Sequence, residues 1–221
     1  MNSDPIFRDR ADAGRKLARL LAPIVRDPAP LVLGLPRGGV PTAFEVSQAL
    51  RAELDVFLVR KLGVPGQEEL AIGAIASGGI RVLNDDLIRE LKLSPVLIEE
   101  ITLREEQELH RREELYRQGR PALQISGRTI ILVDDGLATG ASMKAAAQAV
   151  RLQNPKRIII AVPIASRETC DELRRDADEI VCAFTPAPLV AVGVWYQDFS
   201  QTPDEEVRRL LKMAEQSVAG P

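Results

Sequence analysis

Apolar positions recur at helical spacing over residues 8–25, where Leu17, Leu20, Leu21 and Ile24 share one face. Asp27-Pro28-Ala29-Pro30 ends that pattern. Residues 31–35 (LVLGL) contain no polar side chain, as expected of a strand covered on both faces. A helix follows from about 41 to 54, and a second strand over 55–61. Gly63-Val64-Pro65-Gly66-Gln67 reads as a long loop. Residues 71–76 and 80–83 flank Ser77-Gly78-Gly79 and predict a hairpin. Ser94-Pro95 opens a long charged helix to about residue 118, because serine caps well and proline suits the first helical position. In it, Glu100/Arg104 and Glu108/Arg112 place the acid four residues before the base, the favourable order. Strands at 129–133, 157–163 and 179–183 then alternate with helices at 141–153 and 166–177. Thr202-Pro203-Asp204-Glu205 has the form of a capping box that opens a last helix.

Strands alternating with helices predict an α/β fold, a mainly parallel twisted sheet flanked by helices on both faces. The expected organisation is a single domain over 1–221. Its core spans about 28–185, a small hood comes from 186–202 and the N-terminal segment, and the hairpin and charged helix form an insertion. No internal repeat or low-complexity stretch interrupts this.

Composition narrows the functional classes. Aromatics are only 4% of the chain, so aliphatic side chains fill the core. The net charge of −3 lacks the basic surplus of a nucleic-acid binder, so no nucleic-acid partner is expected. Two cysteines, Cys170 and Cys182, and one histidine, His110, lie too far apart in the sequence for a usual zinc set. The thiols read as reduced side chains in packed surroundings, and His110 as a solvated position. Residues 1–10 contain no apolar stretch of the secretory kind. The longest apolar runs, such as 158–165, are too short to span a bilayer. A cytoplasmic protein without membrane contact is the expectation.

The candidate chemistry lies in residues 130–142, IILVDDGLATGAS. A buried strand ends on two carboxylates, Asp134 and Asp135, and a small-residue loop then opens a helix. Free backbone N–H groups at a helix start converge on an anion, and the helix dipole adds to the attraction. The hydroxyls of Thr139 and Ser142 add donors. The carboxylates would repel a phosphate; they suit vicinal hydroxyls, or Mg2+ held through water. A ligand with a phosphate at one end and a cis-diol nearby, such as ribose 5-phosphate, satisfies both halves.

This segment resembles, at every position, the thirteen-residue signature for 5-phosphoribosyl-1-pyrophosphate (PRPP) of the type I phosphoribosyltransferases. The chain is similar to a group of stand-alone bacterial proteins of that kind. Shared features include the Pro-Arg-Gly-Gly turn, Arg-Lys-Leu-Gly, the charged helix and a Trp-Tyr-Gln-Asp-Phe tail. The resemblance implies transfer of ribose 5-phosphate from PRPP to a small-molecule nitrogen acceptor, with Mg2+ as cofactor and release of pyrophosphate. It also implies site residues. Ala138, Thr139, Gly140, Ala141 and Ser142 would hold the 5-phosphate. Pro36, Arg37, Gly38 and Gly39, in a loop that often carries a non-proline cis peptide, would cradle pyrophosphate with Arg60 and Lys61. Asp134, Asp135, Arg37 and Lys61 would be the catalytic set, the two aspartates also holding Mg2+. Val194 and Trp195 would meet the acceptor. A homodimer is usual in the family. Members acting on 6-oxopurines carry Asp before the Thr-Gly; here it is Ala138, which argues against hypoxanthine or guanine. The alternative is a regulator that senses PRPP or a nucleotide without turnover.

Overall fold

The structure is a computed structural model that describes residues 5–218, apart from the side chains at 68, 69 and 218. Helix α1 (Arg10–Leu21) precedes strand β1 (Leu31–Gly34), helix α2 (Gly39–Leu50) and strand β2 (Glu53–Val56). Strands β3 (Val59–Val64), β4 (Gln67–Ala76) and β5 (Ile80–Leu83) follow, then helices α3 (Asp85–Glu90) and α4 (Pro95–Arg117). The remainder alternates: β6 (Thr129–Val133), α5 (Ala141–Arg151), β7 (Arg157–Ile164), α6 (Arg167–Leu173), β8 (Glu179–Phe184) and α7 (Asp204–Val218).

Five strands form one parallel sheet in the order β2-β1-β6-β7-β8. Alternate residues of a strand face opposite ways, and β6 shows the consequence. Ile131 and Val133 pack with Leu17, Val40, Val46 and Leu211 of α1, α2 and α7. Ile130 and Leu132 pack with Met143, Ala146, Val150 and Leu173 of α5 and α6. Both faces are thus buried, which is why these strands read as unbroken apolar runs.

The expected second strand over 55–61 is in fact two. The parallel sheet ends at Val56, and β3 starts a separate antiparallel sheet in the order β3-β4-β5. The run stays apolar across the break because Phe57 and Leu58 are themselves buried, at 0% and 3% exposure. The expected long loop at 63–67 is a tight connection between paired strands, with Val64 opposite Gln67. Helix α2 stops at Leu50 rather than 54, where Arg51 takes a left-handed conformation with φ of 51°. Helix α4 is capped as expected, Ser94 Oγ accepting from the Leu97 N–H. Of its two anticipated pairs, Arg112 meets Glu108, while Arg104 turns to Glu105.

Residues 192–199 and the N-terminal segment share a cluster with Ala13 of α1 and Ile164 at the end of β7. Phe7, Ala13, Ile164, Trp195 and Tyr196 are buried together there. The N–H groups of Ile6 and Phe7 both donate to the Trp195 carbonyl, at 3.1 and 3.0 Å. Among the described residues, no helix is long and apolar enough to cross a membrane.

Candidate active site

Two turns meet where β1 and β6 end. Paired in parallel, these strands bring Gly34 beside Val133, so the chain following each leaves the sheet at the same place. The first turn is Pro36-Arg37-Gly38-Gly39, and its Pro36–Arg37 peptide is cis. The second is Asp134–Gly140. Their approach is close enough to exclude a side chain. A Cβ on Gly39 would lie 2.8 Å from the Val133 carbonyl oxygen and 2.9 Å from Asp134 Cα. One on Gly38 would lie 2.1 Å from Asp135 Oδ2.

The two carboxylates occupy different surroundings. Asp134 Oδ1 accepts from the Asp135 N–H at 2.8 Å. Burial, reinforced by the neighbouring Asp135 charge, pushes the Asp134 carboxyl well above the usual carboxylate range. Asp135 Oδ2 accepts from Arg10 Nε at 2.7 Å, and its main-chain oxygen accepts from Tyr196 Oη at 2.6 Å. Burial also pushes the Tyr196 hydroxyl upward, so it stays a donor at neutral pH.

Beyond the acids, Ala138, Thr139, Ala141 and Ser142 are exposed and Gly140 is buried. Gly140 sits at the N-cap of α5 with φ of 70° and offers no side-chain cap; the Ala141 N–H at the start of the helix donates to Thr139 Oγ1 over a long 3.4 Å. Thr169 of α6 braces the loop from below, its hydroxyl donating to the Ala138 carbonyl at 3.3 Å. An exposed loop opening a helix whose N-cap glycine supplies no side chain, beside paired carboxylates, fits a ligand carrying a phosphate and hydroxyls.

The family described as "Phosphoribosyl transferase domain" matches residues 8–197. The chain belongs to that family. The matched residues include both turns. Two Mycobacterium tuberculosis proteins, from strains H37Rv and CDC 1551 / Oshkosh, are each named "Putative phosphoribosyl transferase". Each is 48% identical over 214 residues, 97% of this chain and 48% of the relative. The chain thus spans about half the length of the curated relatives it matches. The crystal structure of TT1426 from Thermus thermophilus is 46% identical, with a TM-score of 0.84 over 93% of this chain and 97% of that one.

Within this phosphoribosyltransferase frame, the residues singled out from sequence are dispersed unequally. Gly38, Gly39, Asp134 and Asp135 come together. Arg37 reaches from the first turn to Asp204 at the start of α7, at 3.8 Å, and Asp204 also accepts from Tyr116 Oη at 2.6 Å. Desolvation and that bond push the Tyr116 hydroxyl up to about 12. Arg60 and Lys61 point to different faces, as neighbours in a strand do. Arg60 is committed to Glu105 of α4, donating from Nε at 2.9 Å and Nη2 at 2.6 Å. Lys61 is exposed and faces a cleft it shares with Ala141 and Lys144. Trp195 departs from the acceptor-binding expectation: it is 8% exposed, edge-on to Phe184 with centroids 5.3 Å apart, inside the hood cluster. Val194 beside it is 45% exposed.

Arg10 and Tyr196 were missed as site residues. They stand 125 and 61 positions from Asp135, and no local pattern links them to it. Asp9 as N-cap of α1 was the one available signal, since it fixes where the helix starts and hence where Arg10 points.

Proposed function

We propose that this chain transfers ribose 5-phosphate from PRPP to a nitrogen acceptor, with release of pyrophosphate. The observation that carries this reading is the contact between the Gly38-Gly39 turn and Asp134-Asp135, next to the exposed, glycine-capped start of α5. On this reading the first turn would cradle pyrophosphate, the acidic pair would bind the ribose hydroxyls and the loop before α5 would hold the 5-phosphate.

The 5-phosphate would sit on the N–H groups and hydroxyls of residues 138–142. Asp134 and Asp135 would accept hydrogen bonds from the ribose hydroxyls and lie near the cationic character that develops at the anomeric carbon as its bond to pyrophosphate breaks. Arg37 and the Gly38-Gly39 backbone would hold the leaving group. Lys61 would approach the ligand from the cleft it shares with Ala141. Most of the rate gain would come from positioning.

The acidic pair fits a Mg2+ ion of the kind that keeps waters and binds through one or two carboxylates plus substrate phosphates. The basis is the pair itself: two carboxyls within hydrogen-bond reach of each other, whose mutual repulsion raises Asp134, would be relieved by a cation. Mg2+ would neutralise charge on the leaving pyrophosphate.

Pyrophosphate release from PRPP and Mg2+, measured against a panel of nucleobases and related heterocycles, tests the reading. Turnover with one acceptor and none without supports it. With Ala138 in place of a carboxylate, hypoxanthine, guanine and xanthine should be poor acceptors. Tight PRPP binding with no turnover on any member of the panel would favour the sensing alternative, to which the commitment of Arg60 to Glu105 lends weight.

A further inference from the structure

We propose that Arg10 is a positioning residue, which holds Asp135 in the orientation that selects ribose over deoxyribose at this site. The inference rests on the PRPP-binding reading above and adds a residue outside both turns. Arg10 is the first residue of α1, and its side chain is 12% exposed. Its guanidinium is fixed on three sides. Nε donates to Asp135 Oδ2 at 2.7 Å, and Nη1 donates to the Ser200 carbonyl at 2.6 Å. Its plane lies over the Phe199 ring, with Cζ 4.0 Å from the centroid. Nε also comes close to the pyrophosphate turn, 3.3 Å from where a Cβ on Gly38 would stand.

This arrangement restricts Asp135 to one use. A carboxylate has two oxygens with about four lone-pair directions. Arg10 occupies Oδ2, and Tyr196 holds the peptide behind it. Among the described residues Oδ1 accepts from no N–H, and with the Asp134 carboxyl beside it, it is the oxygen that would meet a hydroxyl. A carboxylate anchored by a charge-assisted bond cannot rotate to follow a ligand that lacks that hydroxyl, so its absence leaves an oxygen desolvated and unpaired. The cation also offsets part of the negative charge that the two adjacent carboxyls bring together. Arg10 further ties α1, the 198–200 segment and the acidic pair into one unit. The side chain that orients Asp135 is therefore also one of the contacts that hold the 198–200 segment in place.

Calorimetry with ribose 5-phosphate, 2-deoxyribose 5-phosphate and inorganic phosphate tests this without an acceptor. Arg10→Met keeps the stem on Phe199 and removes the donors. It should weaken ribose 5-phosphate by about tenfold or more, the loss expected when a charged hydrogen-bond partner leaves a buried group. Inorganic phosphate should bind as before, and the preference for ribose over deoxyribose should collapse. In an Asp135→Asn background the same change should add little, because the two act as one unit. Arg10→Lys keeps the charge but cannot bridge Asp135 and Ser200 together, so it should retain part of the preference. It serves as the test should the methionine variant fail to fold. Unchanged ribose preference in a folded variant overturns the proposal, as does an equal loss for all three ligands, which would mark Arg10 as structural only. A wild type that binds no ribose 5-phosphate would instead sink the PRPP reading itself.

Discussion

Replacing Gly39 by alanine puts a methyl group where the two turns touch. Its Cβ would stand 2.8 Å from the Val133 carbonyl oxygen and 2.9 Å from Asp134 Cα and Oδ1, about half an ångström short of ordinary contact. Two of these three atoms are main chain and cannot rotate away. That carbonyl also accepts the Leu35 N–H at 2.9 Å, so moving it loosens the bond that closes β1 onto β6. Overpacking of this kind costs about 2–3 kcal/mol. Gly39 is the first residue of α2, and alanine in place of glycine within a helix returns about 0.5–1 kcal/mol. The net loss is about 1–2 kcal/mol, which for a chain of this size lowers Tm by roughly 2–8 °C. The turns must also part, so PRPP affinity should fall by about tenfold or more. Thermal unfolding followed by circular dichroism, with calorimetry on PRPP and Mg2+, measures both. Gly38→Ala is the companion test: its Cβ would stand 2.1 Å from Asp135 Oδ2, which Arg10 holds at 2.7 Å, so it should lose affinity and also lower Tm by breaking that ion pair. A Gly39→Ala protein that melts at or above the wild type would refute the reasoning.

Asp134→Asn should behave in the opposite sense for stability. A carboxyl raised in the folded state subtracts stability above its folded pKa, and the penalty disappears below the unfolded value of about 3.9. Without metal, the variant should therefore melt above the wild type at pH 7 and lose that advantage as the pH falls towards 4, while binding PRPP more weakly; lower melting at pH 7 would contradict this. Lys61→Ala should leave Tm unchanged, because its side chain is exposed, and should lower kcat more than PRPP affinity; equal kcat would mark it as a solvated lysine. Trp195→Leu should cost roughly 1–3 kcal/mol of stability, as a cut in a buried side chain does, with the acceptor KM unchanged; a raised KM at unaltered Tm would restore the acceptor-stacking role.

The central strand, loop and helix were legible because each carries its signal locally. An apolar run ends on Asp134, and small residues lead to Ala141, where α5 begins. The division of residues 53–64 between two sheets was not legible. Periodicity reports burial, and Phe57 is as buried as Val56 on one side and Leu62 on the other. Which sheet a strand joins depends on partners far along the chain, here Leu31 to Gly34 for β2 and residues 67–76 for β3. The same holds for Arg60, whose partner Glu105 lies 45 residues on, and for Trp195, where an aromatic beside exposed Val194 is equally compatible with packing inward or facing a ligand. The glycines of the first turn were legible as a turn. That they exist to let Asp134 and Asp135 approach became apparent only in three dimensions.

The seam between the two sheets bears on how this molecule comes apart. Phe57 plugs the layer beneath α5, and Leu58 plugs the opposite layer beneath α4. The Phe57 N–H is held by the Gly34 carbonyl at 3.1 Å, while the Leu58 N–H and carbonyl are both held by Ser77, at 3.0 and 2.9 Å. Two successive residues are thus anchored in different cores and bonded to different sheets. The antiparallel sheet cannot detach without opening both cores, so the amides of Phe57 and Leu58 should exchange with solvent only through global opening, and the two sheets should melt in one cooperative transition.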